Sequence, residues 1–178
     1  TQPFMRTTLL PGLFAAVARN TSRSQDDLAV FECGAVFWGN DRGAAPMPDV
    51  SRRPSQDEIA AVTGNLPDQP RMVAGLLAGN WVPSGWQGPA EKADWRHAVH
   101  LAQTAAATLG LDLGRRATKR APWHPGRCAE LYVASGDDEV VLGHAGELHP
   151  KVIKAFGLPE RACAVEFALS AGGGPASG

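Results

Sequence analysis

Histidine and cysteine side chains come first, because they are the residues in this 178-residue chain best suited to metal binding or nucleophilic attack. His97 and His100 lie three apart, so on a helix they share a face. Two imidazoles do not make a metal centre without a third ligand and a supporting shell, and none is specified nearby. His144, Glu147 and His149 form a second cluster, His-Ala-Gly-Glu-Leu-His. Three such groups could serve a metal-dependent hydrolase. Their spacing crosses a strand end and a turn, however, and neither cluster reads His-Glu-x-x-His. No metal site is expected. Cys33, Cys128 and Cys163 are odd in number, far apart, and form no Cys-x-x-Cys. That suits reduced thiols in a cytosolic protein. No His or Asp is tied to Cys128 or Cys163 by a local pattern, so those two are expected to be small, buried, inert thiols. The phosphate-cradling glycine loops and the Gly-x-Ser-x-Gly elbow are absent from the sequence. No catalytic residue is assigned.

A basic stretch carries Arg115, Arg116, Lys119, Arg120, His124 and Arg127. One reading makes it a phosphate-contacting patch, with Trp123 stacking on a base. Arg115, Arg116, Arg120, Trp123 and Arg127 are then the candidate nucleic-acid contacts. The competing reading is a solvated edge strand guarded by charge, with Trp123 packed against a sheet. Lys and Arg number 17 against 18 Asp and Glu, for a net charge of −1. A polyanion would therefore meet a local patch and no global basic field.

The elements that must position these groups follow from composition and periodicity. Apolar residues are 44% and charged residues 20%, as in a globular domain with its own core. The length predicts one domain over residues 1–171, with a small-residue, flexible tail at 172–178. No apolar run approaches a membrane span, and the first residues lack the pattern of a signal peptide, so a cytoplasmic location is expected. A helix is predicted from Thr8 to Asn20, with Pro11 in its first turn and one apolar stripe. Leu28 to Trp38 reads as a strand whose uniformly apolar set, Ala29, Phe31, Cys33, Ala35 and Phe37, should face a core. Gly39 to Gln56 reads as a loop. Ile59 to Leu66 fits a short helix or a strand. Met72 to Ala78 reads as a buried strand, and Trp95 to Leu109 as a helix capped by Asp94 and stopped by Gly110. Leu113 to Arg120 fits a strand. Pro122 to Arg127 reads as a turn, and Leu131–Ala134 with Val140–His144 as a hairpin. Pro150 to Phe156 is a short helix and Cys163 to Leu169 a last strand. Helices inserted between hairpin-joined strands give an α+β fold with a mostly antiparallel sheet.

Three segments in this order resemble a known family. They are Met5-Arg6-Thr7-Thr8-Leu9-Leu10-Pro11-Gly12-Leu13, Phe31-Glu32-Cys33-Gly34-Ala35-Val36-Phe37, and His124-Pro125-Gly126-Arg127-Cys128-Ala129 leading into Gly143-His144-Ala145-Gly146-Glu147-Leu148-His149-Pro150. Together they are similar to the core domain of bacterial phenylalanine-tRNA ligase beta subunits, over about Met5 to Leu169. The resemblance implies a class II aminoacyl-tRNA synthetase-like antiparallel sheet flanked by helices, in a catalytic-like copy that has lost its active site. It also implies an alpha-subunit partner in an alpha2-beta2 tetramer and tRNA as a partner of the whole enzyme. ATP and magnesium belong to the whole enzyme, with no cofactor in this domain. The chain then looks like an excised core.

The residues agree with such a loss. Class II catalysis places strand-borne arginines on the phosphates of ATP. Here Gly34-Ala35 stands where family members often carry Gly-Arg, and Ala164–Leu169 holds no arginine. Glu166 is expected to be solvated. The second helix opens Ala93-Asp94-Trp95-Arg96-His97-Ala98, a departure from the family's aromatic-Asp-x-Lys-Gly. The resemblance also places a subunit interface at the first helix, so Leu10, Phe14 and Val17 are expected to be exposed in the isolated chain.

Overall fold

The computed structural model describes residues 4–39 and 43–169; the tail expected at 172–178 lies outside them. Among the described residues, four helices are interspersed with eight strands. Six strands form one antiparallel sheet in the order β1 (Leu28–Ala35), β2 (Arg71–Ala78), β8 (Cys163–Ala168), β7 (Asp138–Leu148), β6 (Trp123–Ser135) and β5 (Gly114–Ala117). β3 (Asn80–Val82) and β4 (Glu91–Lys92) make a separate small ribbon. The expected α+β architecture, an antiparallel sheet flanked by helices, is present.

One face of the sheet is covered by α1 (Leu10–Thr21) and α4 (Pro150–Phe156), the other by α3 (Trp95–Thr108). α2 (Gln56–Gly64) settles the ambiguous segment as a helix, because Ser55 and Glu58 close a capping box at its start. Asp94 caps α3 as predicted, accepting the Arg96 amide at 2.8 Å, while the His97 ring accepts the Asp94 amide. α4 has Pro at its start and ends at Gly157 with φ +63°. Of the segment read as a turn, Pro122–Arg127, only Pro122 stays in a turn; Trp123–Arg127 opens β6, with a bulge in its pairing with β7. Among the described residues no helix is long and apolar enough to cross a membrane.

Two burial expectations fail. Leu10, Phe14 and Val17 are 2%, 3% and 0% exposed. α1 lays the whole stripe across β1 and β2, and Phe14 meets Phe156 of α4 at 4.9 Å between ring centroids. Periodicity identified the stripe; whether the chain's own sheet covers it depends on topology. Full burial of each such side chain contributes about 1.5–3 kcal/mol to the fold. The second failure concerns β1. Leu28, Val30 and Glu32 turn toward α1, while Ala29, Phe31 and Cys33 face out, with Phe31 79% exposed. α3 packs mainly over β7 and β8 and reaches β2, leaving the outer face of β1 largely open. Ala29, Phe31 and Cys33 therefore lie on an uncovered surface, while Ala35 and Phe37 of the same set are half-buried.

Candidate functional site

A cleft of about 440 Å³ opens between α1 and the sheet. Thr8, Phe14, Trp38 and Met72 line one side, and Arg120, Trp123, His144 and Glu166 the other. Glu166 is not solvated. Its carboxylate accepts the Leu9 amide at 2.6 Å and the Thr8 hydroxyl at 2.7 Å. Burial nevertheless raises its pKa, outweighing those two hydrogen bonds and the Arg6 charge. Trp123 is 5% exposed and donates its Nε1 hydrogen to the Ala164 carbonyl at 3.1 Å, so it is a wall of the cleft and cannot stack on an external base.

His144 lies beneath Trp123, ring centroids 5.4 Å apart. Burial, aided by the Arg120 charge and opposed by Glu130, pushes its pKa down to about 4. The imidazole is neutral at pH 7, with Nε2 buried 3.8 Å from Glu130 and without a hydrogen-bond partner. Glu147 is also buried, but it answers Arg127 at 2.6 Å and Arg161 at 3.5 Å. His149 accepts the Lys151 amide at the start of α4. Nε2 of His144 thus stands without a hydrogen-bond partner while Glu147 and His149 have different ones, and no group of three His, Cys, Asp or Glu converges as a metal site among the described residues. His97 meets Glu91 at 3.2 Å and stacks on Trp81, while His100 is exposed. Cys128 and Cys163 are buried, and desolvation lifts their thiols to about 11 and about 12; Cys33 is exposed.

The basic stretch divides by partner. Arg116 pairs with Glu130 at 2.5 Å and Glu139 at 2.6 Å, over the ring of Tyr132. Arg127 is held by Glu147. Arg115 and Arg120 are exposed and make no ion pair among the described residues. Ahead of α1, Arg6 pairs with Glu32 and donates to the Ala35 carbonyl at 3.0 Å, so its charge is spent beside Gly34-Ala35.

Two further surfaces were missed in the sequence. On the α3 side, an apolar groove of about 360 Å³ is lined by Phe31, Cys33, Val73, Leu101, Ala105 and Phe167. The signal was the apolar set of β1, assigned to the right type of contact but to the wrong cover. Beside the cleft, a shelf of about 450 Å³ brings Lys151 and His149 to Lys119 and Arg120. Residues some 30 positions apart reveal no shared surface until β6 and β7 pair.

Comparison with solved structures places the fold. A pyrrolysyl tRNA synthetase, PylSc of Desulfitobacterium hafniense, superposes with a TM-score of 0.53 and 14% identity, over 92% of this chain and 47% of that one. At that identity the likeness is one of fold, the class II synthetase core. The chain matches the family described as the phenylalanyl tRNA synthetase beta chain CLM domain over residues 1–169, and it belongs to that family. Similar relatives are the phenylalanine–tRNA ligase beta subunits of Cutibacterium acnes, 58% identical over 171 residues, and Thermobifida fusca, 52% identical over 168. The matches cover 96% and 93% of this chain but 20% of each relative, so the chain spans about a fifth of their length.

Proposed function

We propose that this domain is a non-catalytic assembly core of a phenylalanine-tRNA ligase beta subunit. It supports an alpha subunit that carries out ATP-dependent attachment of phenylalanine to tRNA, within an alpha2-beta2 tetramer in the cytoplasm. The observation that carries the reading is the uncovered apolar groove around Phe31, continuous with the free edge of β1. An apolar face of this kind, on an otherwise well-covered sheet, suits a protein partner. The contact moves from the expected Leu10, Phe14 and Val17, which the fold buries, to Ala29, Phe31 and Cys33.

The non-catalytic part is supported by the cleft's donor set. A magnesium-bound triphosphate needs free cations and carboxylates. Among the described residues lining the cleft, Glu166 is the one carboxylate and is occupied by Leu9 and Thr8, and Arg120 is the single arginine; Arg6, outside the lining, is bound to Glu32. Those residues do not fit ATP and magnesium here, and no chemical step is assigned to the domain.

The test is co-purification of the intact beta subunit with its alpha subunit. Phe31→Asp changes an exposed side chain, so the fold should persist by circular dichroism while the complex is lost or weakened at least tenfold. A full yield of complex from that variant would remove the groove from the interface.

A further inference from the structure

Lys119 and Arg120 lie in the short link between β5 and β6, and Lys151 stands in the first turn of α4. All three are exposed and unpaired among the described residues, unlike Arg116 and Arg127. They border one concavity with Pro122, Trp123 and His149, and no Asp or Glu lines it. Lys154 lies one turn further along α4 on the same face as Lys151.

The backbone beneath these cations is fixed. The Arg120 carbonyl accepts the Trp123 amide at 3.0 Å, and the Pro122 carbonyl accepts the His149 amide at 2.9 Å. Thr118 donates to the Cys128 carbonyl at 3.0 Å. The His149 ring accepts the Lys151 amide through Nδ1, which leaves the ring hydrogen on Nε2 when the imidazole is neutral. A site for a single small phosphate is normally built from free backbone amides. Here the Trp123, His149 and Lys151 amides are committed, and the remaining handles are long cationic side chains. That arrangement suits a run of phosphates held electrostatically.

We propose that the shelf of Lys119, Arg120 and Lys151 binds the phosphodiester backbone of RNA. The inference deepens the reading above and rests on it for the kind of polyanion, while the charge and shape of the shelf stand by themselves. The candidate contacts read from the sequence are reassigned: Arg120 stays, Arg115 lies outside the concavity, Arg116 and Arg127 are spent internally, Trp123 is a wall, Lys119 joins from the same basic stretch, and Lys151 enters from α4.

The experiment titrates fluorescently labelled tRNA with the intact protein over a series of KCl concentrations. The triple variant Lys119→Gln, Arg120→Gln, Lys151→Gln should bind about tenfold more weakly near 0.1 M salt. Its slope of log affinity against log salt should be shallower by about 2. Arg116→Gln should leave both unchanged. Bound tRNA should shield Lys119 and Lys151 from acetylation by an N-hydroxysuccinimide ester. Unaltered tRNA affinity in the triple variant overturns the proposal, as does binding of inorganic phosphate or phosphatidylserine vesicles to the shelf when tRNA leaves both lysines reactive. Recovery of the alpha subunit with the triple variant reports separately on assembly.

Discussion

Glu166 caps α1 from the far end of the sequence: its carboxylate accepts the Leu9 amide at 2.6 Å across a separation of 157 residues. α1 has no side-chain cap from Leu9, its own N-cap residue. A helix start buried against a sheet needs such an acceptor, and β8 supplies it. Glu166→Ala should lower stability by about 1–3 kcal/mol in urea unfolding. Glu166→Gln retains an acceptor and should cost less. The folded pKa of Glu166 is raised, so the folded state holds its proton to higher pH than the unfolded state. Its contribution is full below the unfolded value and lost as pH rises through the folded one. Glu166→Gln should remove that decline, and an unchanged pH profile would contradict it.

His144 has the opposite sign. Its folded pKa of about 4 lies below the ordinary 6.5, so the unfolded chain takes up the proton first as pH falls. The stability it contributes is complete above pH 6.5 and lost as pH drops toward 4, on the order of 3 kcal/mol in all. Replacing it with Gln should flatten the stability profile between those values in urea titrations. An equal acid limb in wild type and variant would mean that the imidazole titrates freely.

Much of this arrangement was legible in the sequence, and what escaped has a common physical origin. Asp94 as a cap, Pro150–Phe156 as a short helix and Met72–Ala78 as a buried strand are local features, and each is found. The family resemblance rested on residue order and fixed the fold class. Phe31, Glu166 and Lys151 were misjudged or passed over because their surroundings come from chain segments far away. Alternation said that Phe31 and Val30 face opposite ways; only the placement of α3 decides which face stays open. Glu166 looked solvated until α1 arrived above it. Trp123 could stack on a base only if the segment around it were a free turn, and β6 begins there instead.

The three thiols should separate sharply in reactivity. Cys33 lies on the outer face of an edge strand, whereas Cys128 and Cys163 are buried with pKa values near 11 and 12. A thiolate-selective disulfide reagent at pH 8 should titrate one group in the native protein and three after denaturation. Binding of the alpha subunit over the Phe31 groove should also protect Cys33. Two fast-reacting thiols in the native chain would show that one of the two buried sites opens.

Gly79 links β2 to β3 with φ +75°, a left-handed conformation that other residues enter at a cost. A Cβ there would also run into the Asp26 carbonyl and the Asp27 carboxylate. Asp27 accepts the Asn80 amide at 2.7 Å, and the Gly79 carbonyl accepts the Ala93 amide at 3.0 Å, so the turn is tied on both sides. Relief by rotation would break one of those bonds. Gly79→Ala should therefore destabilise the domain by about 1–3 kcal/mol. Asp27→Asn, which keeps a side-chain acceptor for Asn80 and adds no Cβ at position 79, should be milder. Urea midpoints for the two variants test this, and equal midpoints would place the strain in the hydrogen bonds, not in the backbone of Gly79.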